Sequence, residues 1–78
     1  MKELVEYIAR SLVDDPTQVQ VYESRRGAVS KIKLKVAKED MGRVIGKNGR
    51  VANAMRALLN VAASQQGKQA HLDIEDPR

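Results

Sequence analysis

Apolar residues at Leu4, Val5, Ile8, Ala9, Leu12 and Val13 recur at helical spacing, with Glu3, Glu6, Arg10 and Ser11 opposite them. The pattern predicts an amphipathic first helix. Asp14-Asp15-Pro16 ends it. Proline disfavours helical geometry at the residue before it, and carboxylates suit a helix C-terminus badly. From Gln18 to Glu23 polar and apolar residues alternate, which predicts a half-buried strand. Ser24 to Ala28 reads as a turn. Ser30 to Val36 then alternates strictly, with Ile32, Leu34 and Val36 on one face and Lys31, Lys33 and Lys35 on the other. The two runs are expected to pair as an antiparallel hairpin, one face under helices and the other wet.

Lys38 to Ile45 reads as a short helix, with Glu39 and Asp40 in the first turn, where the helix dipole favours acids. Gly46 stops it. A long helix follows from Arg50 to Gln65. Its expected core stripe is Val51, Met55, Leu58 and Ala62, widened by Ala52 and Leu59 on one flank and by Ala54 and Val61 on the other. This arc spans roughly 180°, more than the ~100° of a one-sided helix, so the helix is expected to be buried twice, on the sheet and on another helix or a second chain. Asn53, Arg56, Asn60 and Ser64 form the exposed side. Gly67 is the expected C-terminal cap. Ala70, Leu72 and Ile74 mark a last strand, and Asp76-Pro77-Arg78 a frayed tail. The order α-β-β-α-α-β describes one α+β domain over residues 1–78, with no repeat or linker.

Charge changes the picture more than composition does. The net charge is +4 over 78 residues. Arg25, Arg26, Lys31, Lys33, Lys35 and Lys38 occupy 24–38 without an acid, and Arg43, Lys47, Arg50, Arg56 and Lys68 occupy 41–72 without an acid. A long carboxylate-free zone is the electrostatic footprint of a nucleic-acid binder, though a solvated surface has the same look. The lysine row has two readings as well, protection of a strand edge or attraction of nucleic acid. The absence of cysteine excludes disulfides and thiolate metal sites. The N-terminal segment lacks the apolar run of a signal peptide or membrane span, so a soluble cytoplasmic protein without membrane insertion is expected. His71, the one histidine, alternates outward and reads as solvated. No nucleophile or acid–base pair has the spacing of a catalytic site, so neither an enzyme nor a small-molecule substrate, metal or cofactor is expected.

The candidate chemistry lies in Gly46-Lys47-Asn48-Gly49, between the two helices and inside the acid-free zone. Free N–H groups and the positive end of the dipole at a helix start favour an anion. A nucleotide loop fails: Gly42 and Gly46 are separated by three residues rather than four, and Asn48 follows Lys47 where a hydroxyl should hold magnesium. The dinucleotide fingerprint fails because no glycine precedes Gly46 by two. A helix–Gly-x-x-Gly–helix unit instead clamps about four nucleotides of single-stranded backbone. Lys47 adds charge, Asn48 an amide, and Arg43, Arg50 and Arg56 surround the path. Bases would lie over Met41, Val44, Ile45 and the facing strand. Tyr7 and Tyr22 are the only aromatics and neither is near the loop in sequence, so broad stacking platforms are not expected there. A tight inter-helix turn without a guest is the simpler alternative.

Val44-Ile45-Gly46-Lys47-Asn48-Gly49-Arg50, preceded by Glu39-Asp40-Met41-Gly42-Arg43, resembles the signature of a K-homology (KH) domain. The extra helix and strand ahead of the β-α-α-β core at about 30–75 resemble the type II arrangement, which implies a three-stranded mixed sheet. Over nearly the whole chain the sequence resembles the KhpA family of small bacterial RNA-binding proteins. That resemblance implies single-stranded RNA as partner and an RNA-chaperone or post-transcriptional role. It also implies a link to cell-wall homeostasis and cell length, and pairing with a larger KhpB/Jag-type KH protein. It places the clamp on Gly46, Lys47, Asn48 and Gly49, the groove on Val44 and Ile45, and phosphate neighbours at Arg43 and Arg50. One departure is Ala52, where the family often has a bulky aliphatic; Val51 and Met55 are expected to fill the space. Replacing Gly46 and Gly49 together by Asp is expected to keep the fold and abolish RNA crosslinking. The competing reading is a dimerisation or scaffold module with little RNA binding, using Ala54, Ala57 and Val61 to make a homodimer or a heterodimer.

Overall fold

The strictly alternating run becomes β2 (Val29–Lys35), the central strand of a three-stranded sheet of order β1-β2-β3. The computed structural model describes residues 1–75. Around β2 stand α1 (Lys2–Leu12), β1 (Gln20–Arg26), α2 (Met41–Ile45), α3 (Arg50–Gln65) and β3 (Gln69–Ile74). β1 pairs with β2 antiparallel and β3 pairs with β2 parallel, so the sheet is mixed, as expected. Ile32, Leu34 and Val36 face a core shared with Val5 and Ala9 of α1, Val44 of α2 and Met55 and Leu59 of α3. The tail Asp76-Pro77-Arg78 lies outside the described residues.

β1 starts two residues later than the alternation indicated, because Pro16–Gln18 form a single turn of 3-10 helix, and it runs three residues further. Ser24, Arg25 and Arg26, expected in a turn, pair with Lys31, Ser30 and Val29. The turn needs only Gly27-Ala28, with glycine first, as a two-residue hairpin does. Polar residues on an outer strand keep the ladder without leaving an apolar trace. The lysine row also changes meaning. β2 is hydrogen-bonded on both sides, so Lys31, Lys33 and Lys35 guard no edge.

Two carboxylates hold α1 in place. Glu23 on β1 accepts from the Lys2 N–H at 3.2 Å, supplying an acid at the start of the helix. The Arg25 Nε donates to its other oxygen at 2.6 Å. That hydrogen bond holds the Glu23 carboxyl below its ordinary range, against the opposing effect of burial. At the far end, Asp40 is 3% exposed and accepts from the Asp14 and Asp15 N–H groups at 3.2 Å each. A buried carboxylate shared between two backbone donors ties the α1–β1 connection to the start of α2.

α3 has the expected bounds but not the expected rotation. Ala52, Met55, Leu59 and Ala63 are buried, whereas Leu58, expected in the core, is 52% exposed. At 100° per residue the buried stripe is turned by roughly 75° from the expected one. Ala52 itself enters the core. Asn53, Arg56, Asn60 and Ser64 are exposed as expected. Ala54, Ala57, Leu58 and Val61 are exposed too, an apolar arc nearly opposite the buried stripe; Val61 is 58% exposed. The helix ends in a paired cap, with the Lys68 N–H donating to Ala63 at 2.8 Å and the Gly67 N–H to Ser64 at 3.0 Å.

Candidate nucleic-acid interface

The loop between α2 and α3 has a shape that leans on its glycines. The Gly46 N–H closes α2 on the Gly42 carbonyl at 2.9 Å. Gly46 then takes φ 77°, ψ 171°, a region essentially restricted to glycine. A tight turn follows over Lys47–Gly49, with the Gly49 N–H donating back to the Gly46 carbonyl at 3.1 Å. Asn48 (φ 57°) and Gly49 (φ 75°) are left-handed in succession. Asparagine is among the few side chains that tolerate this, so Asn48 supports the turn as well as offering an amide.

The two glycines answer different needs. A Cβ on Gly46 would stand 2.5 Å from Val51 Cγ2 and 2.8 Å from the Val51 nitrogen. The space is filled by α3 itself. A Cβ on Gly49 would find nothing nearer than Asn53 Nδ2 at 3.8 Å, so only its φ asks for glycine. A side chain at Gly46 would therefore have to displace Val51, which argues against the expectation that replacing both glycines by Asp keeps the fold.

Around the turn, Lys47, Asn48 and Arg50 are exposed. Among the described residues, no backbone carbonyl accepts from the Lys47 or Asn48 N–H groups. The turn thus offers free donors, one ammonium and one guanidinium together. Arg43 is placed differently. Its NH2 group bonds Asp14 Oδ2 at 2.9 Å and its Nε lies 3.6 Å from Asp40 Oδ1. The segment is free of acids in sequence, but the fold brings Asp14 and Asp40 to it. Arg43 is engaged with carboxylates and is not a free phosphate ligand. Arg56 is not at the loop either. It lies six residues down α3 from Arg50, about 9 Å along the axis. Its Nε donates to the Leu72 carbonyl of β3 at 3.3 Å, and its NH1 group to Asn53 Oδ1 at 3.3 Å.

Val44 is fully buried at 0% exposure and has no surface to offer a base. The half-buried Met41 and Ile45 are what remains of the expected apolar groove. The meeting of Asp14 and Asp40 with Arg43 is not among the sequence expectations. The only trace was the spacing of Asp40 and Arg43 three residues apart, which also fits an ordinary exposed helical pair. No trio of His, Asp or Glu among the described residues is grouped to hold a metal ion. No described helix is long and apolar enough to cross a membrane.

The family described as "KhpA/KhpB, KH domain" matches residues 2–74. Curated relatives extend over nearly all of the chain. The "RNA-binding protein KhpA" of Halalkalibacterium halodurans is 49% identical over 76 residues, covering 97% of this chain and 100% of the relative. That of Clostridium acetobutylicum is 49% identical over 74 residues, covering 95% and 99%. The protein of the same name in Treponema pallidum is 45% identical over 75 residues, covering 96% and 94%.

Proposed function

The chain belongs to the KhpA/KhpB KH-domain family, and we propose that it is an RNA-binding protein that holds single-stranded RNA at the Gly46–Gly49 turn. The observation that carries the loop assignment is the turn itself, which presents free N–H groups beside Lys47, Asn48 and Arg50 with its shape fixed by Val51 against Gly46. Phosphates would meet these donors, and bases would lie over Met41 and Ile45. Arg43 and Arg56 contribute at a distance, Arg43 only by leaving Asp14. The chain acts by binding, as one KH unit, in the cytoplasm. Its work is that of an RNA chaperone or post-transcriptional regulator. The proposal extends to a place in cell-wall homeostasis and cell length, with a KhpB/Jag-type partner.

Gly49→Asp tests this assignment. The position has room for the side chain, and Asp tolerates a left-handed backbone better than most residues. The variant should keep its circular-dichroism spectrum and lose most of the crosslinks that uridine-rich RNA makes at the loop. Wild-type affinity should fall with salt along a log–log slope of about −2 to −3.5, from ~3–5 phosphate contacts on a single strand. A folded Gly49→Asp variant that crosslinks like the wild type would refute the loop.

A second reading has its own observation. The uncovered arc of Ala54, Ala57, Leu58 and Val61 is an apolar surface on an otherwise charged chain. It fits a homodimer or a heterodimer through α3. The two readings are compatible, because one four-nucleotide clamp binds weakly and pairing two raises avidity.

A further inference from the structure

The helix-free face of the sheet carries a pattern that the loop does not use. Lys31 and Lys33 stand on the central strand, so edge protection does not account for them. In register, Lys31 lies between Ser24 and His71, and Lys33 between Tyr22 and Asp73. A wet face that serves solubility alone gains most from opposite charges across strands. Here Lys31 faces no acid, and Lys33 faces one, Asp73. Among the described residues neither lysine is within ion-pair distance of a carboxylate. Tyr22 is 55% exposed, its hydroxyl bonded to Gln20 Oε1 at 3.0 Å. These side chains line a shallow depression of about 470 Å³.

We propose that this face is a second contact surface for single-stranded RNA, on the side of the sheet away from the Gly46–Gly49 turn. The proposal rests on the reading of the chain as an RNA binder. The chemistry favours a polynucleotide over an acidic polypeptide. Tyr22 and His71 offer ring faces for bases, and the lysines between them offer charge for phosphates, the combination by which open sheet faces hold single strands. Alternate residues on a strand stand ~6.7 Å apart, a rigid spacing comparable to that of successive phosphates along an extended strand. Asp73 adds an acceptor for an exocyclic amine. A chain with one strand on its loop and another on its sheet raises the effective concentration of each for the other. Such a device accelerates the pairing of two RNAs.

The test uses the full chain, a uridine-rich oligomer carrying photoactivatable thiouridine, and an annealing assay with two complementary RNAs. Lys31→Gln/Lys33→Gln should shrink the salt slope by about 1.4, two contacts at the single-strand coefficient, and lose most of the annealing rate. Lys2→Gln/Lys38→Gln removes the same charge elsewhere and should do neither. Crosslinks at Tyr22 or His71 should persist in Gly49→Asp. The proposal is overturned if the two double variants behave alike, or if neither ring crosslinks in the wild type. It is equally overturned if polyglutamate displaces the oligomer from this face better than polyuridine does, which would make the occupant an acidic protein. Loss of loop crosslinks in the wild type would refute the loop assignment alone, since the sheet face is judged on its own crosslinks.

Discussion

Gly46→Ala should be far more damaging than Gly49→Ala, although the two glycines look equivalent in the motif. At Gly46 two costs add. The backbone at φ 77°, ψ 171° is held in a region that costs a residue with a Cβ about 1–3 kcal/mol. The new methyl also overlaps Val51, whose nitrogen at 2.8 Å is backbone and cannot rotate away. Overpacking of this kind costs about 1–3 kcal/mol. Together they give about 4 kcal/mol. A chain of this length has about 4–12 kcal/mol of stability in all, so about a third or more of it would be lost. At Gly49 only the left-handed φ of 75° opposes alanine, at roughly 1–2 kcal/mol. Urea unfolding followed by circular dichroism measures both. With a slope near ~1 kcal/mol per molar, Gly49→Ala should lower the midpoint by about 1–2 M and Gly46→Ala by about 4 M or to no transition. The double variant Gly46→Ala/Val51→Ala removes the Cγ2 overlap and should be at least ~1 kcal/mol less unstable than the sum of its parts. Equal midpoints for the two glycine variants, or strict additivity with Val51→Ala, would refute the packing argument. The same reasoning makes Gly49, not Gly46, the position at which to test RNA binding.

Other perturbations read other parts of the molecule. Val61→Arg places a charge in the exposed apolar arc of α3; if that arc is a self-association surface, light scattering should show the dimer become a monomer, and an unchanged dimer would exclude this surface. Asp40→Ala strands the Asp14 and Asp15 N–H groups and should cost about 2–4 kcal/mol in thermal or urea unfolding, at 1–3 kcal/mol per unsatisfied group with partial rescue by water. Glu23 has a lowered pKa in the folded state, chiefly through its hydrogen bond from Arg25, so its contribution is present above the ordinary value of 4.5 and is lost as pH falls through the folded value. Glu23→Gln should therefore be less stable than wild type at neutral pH, with the gap narrowing below pH 4.5; a gap that widens on acidification would reverse the sign of the argument.

The elements were legible because periodicity records burial. The run from Ile32 to Val36 alternates because β2 has one dry face, and α3 begins and ends where Gly49 and Gly67 allow. What periodicity could not give was the rotation of α3. Its apolar arc is wider than one interface, so the sequence cannot say which part meets the sheet. The face that meets the sheet carries Ala52, Met55, Leu59 and Ala63, and Leu58 and Val61 were left outside. The site divides in the same way. Gly46 to Gly49 are contiguous, and a contiguous motif is read directly. Arg43 lies only three residues before them, but its partners Asp14 and Asp40 approach from the end of α1 and the start of α2. Counting charges along the chain could not detect a pairing made by folding.

That pairing bears on how the loop would bind. Asp40 is held between two backbone donors and Arg43, and it leads directly into α2, whose last turn closes on Gly46. On the other side Val51 packs into the space where Gly46 lacks a side chain. The turn is therefore gripped from both helices and formed before any ligand arrives. A preformed loop loses little conformational freedom on binding, which matters most for a clamp of few contacts. Loosening the grip at Asp40 should then weaken RNA binding without touching a single ligand-facing group. The effect should appear in affinity while the salt slope stays unchanged, because the number of phosphates neutralised is the same. A change in slope on Asp40→Asn would instead mean that freeing Arg43 had altered the set of phosphate contacts.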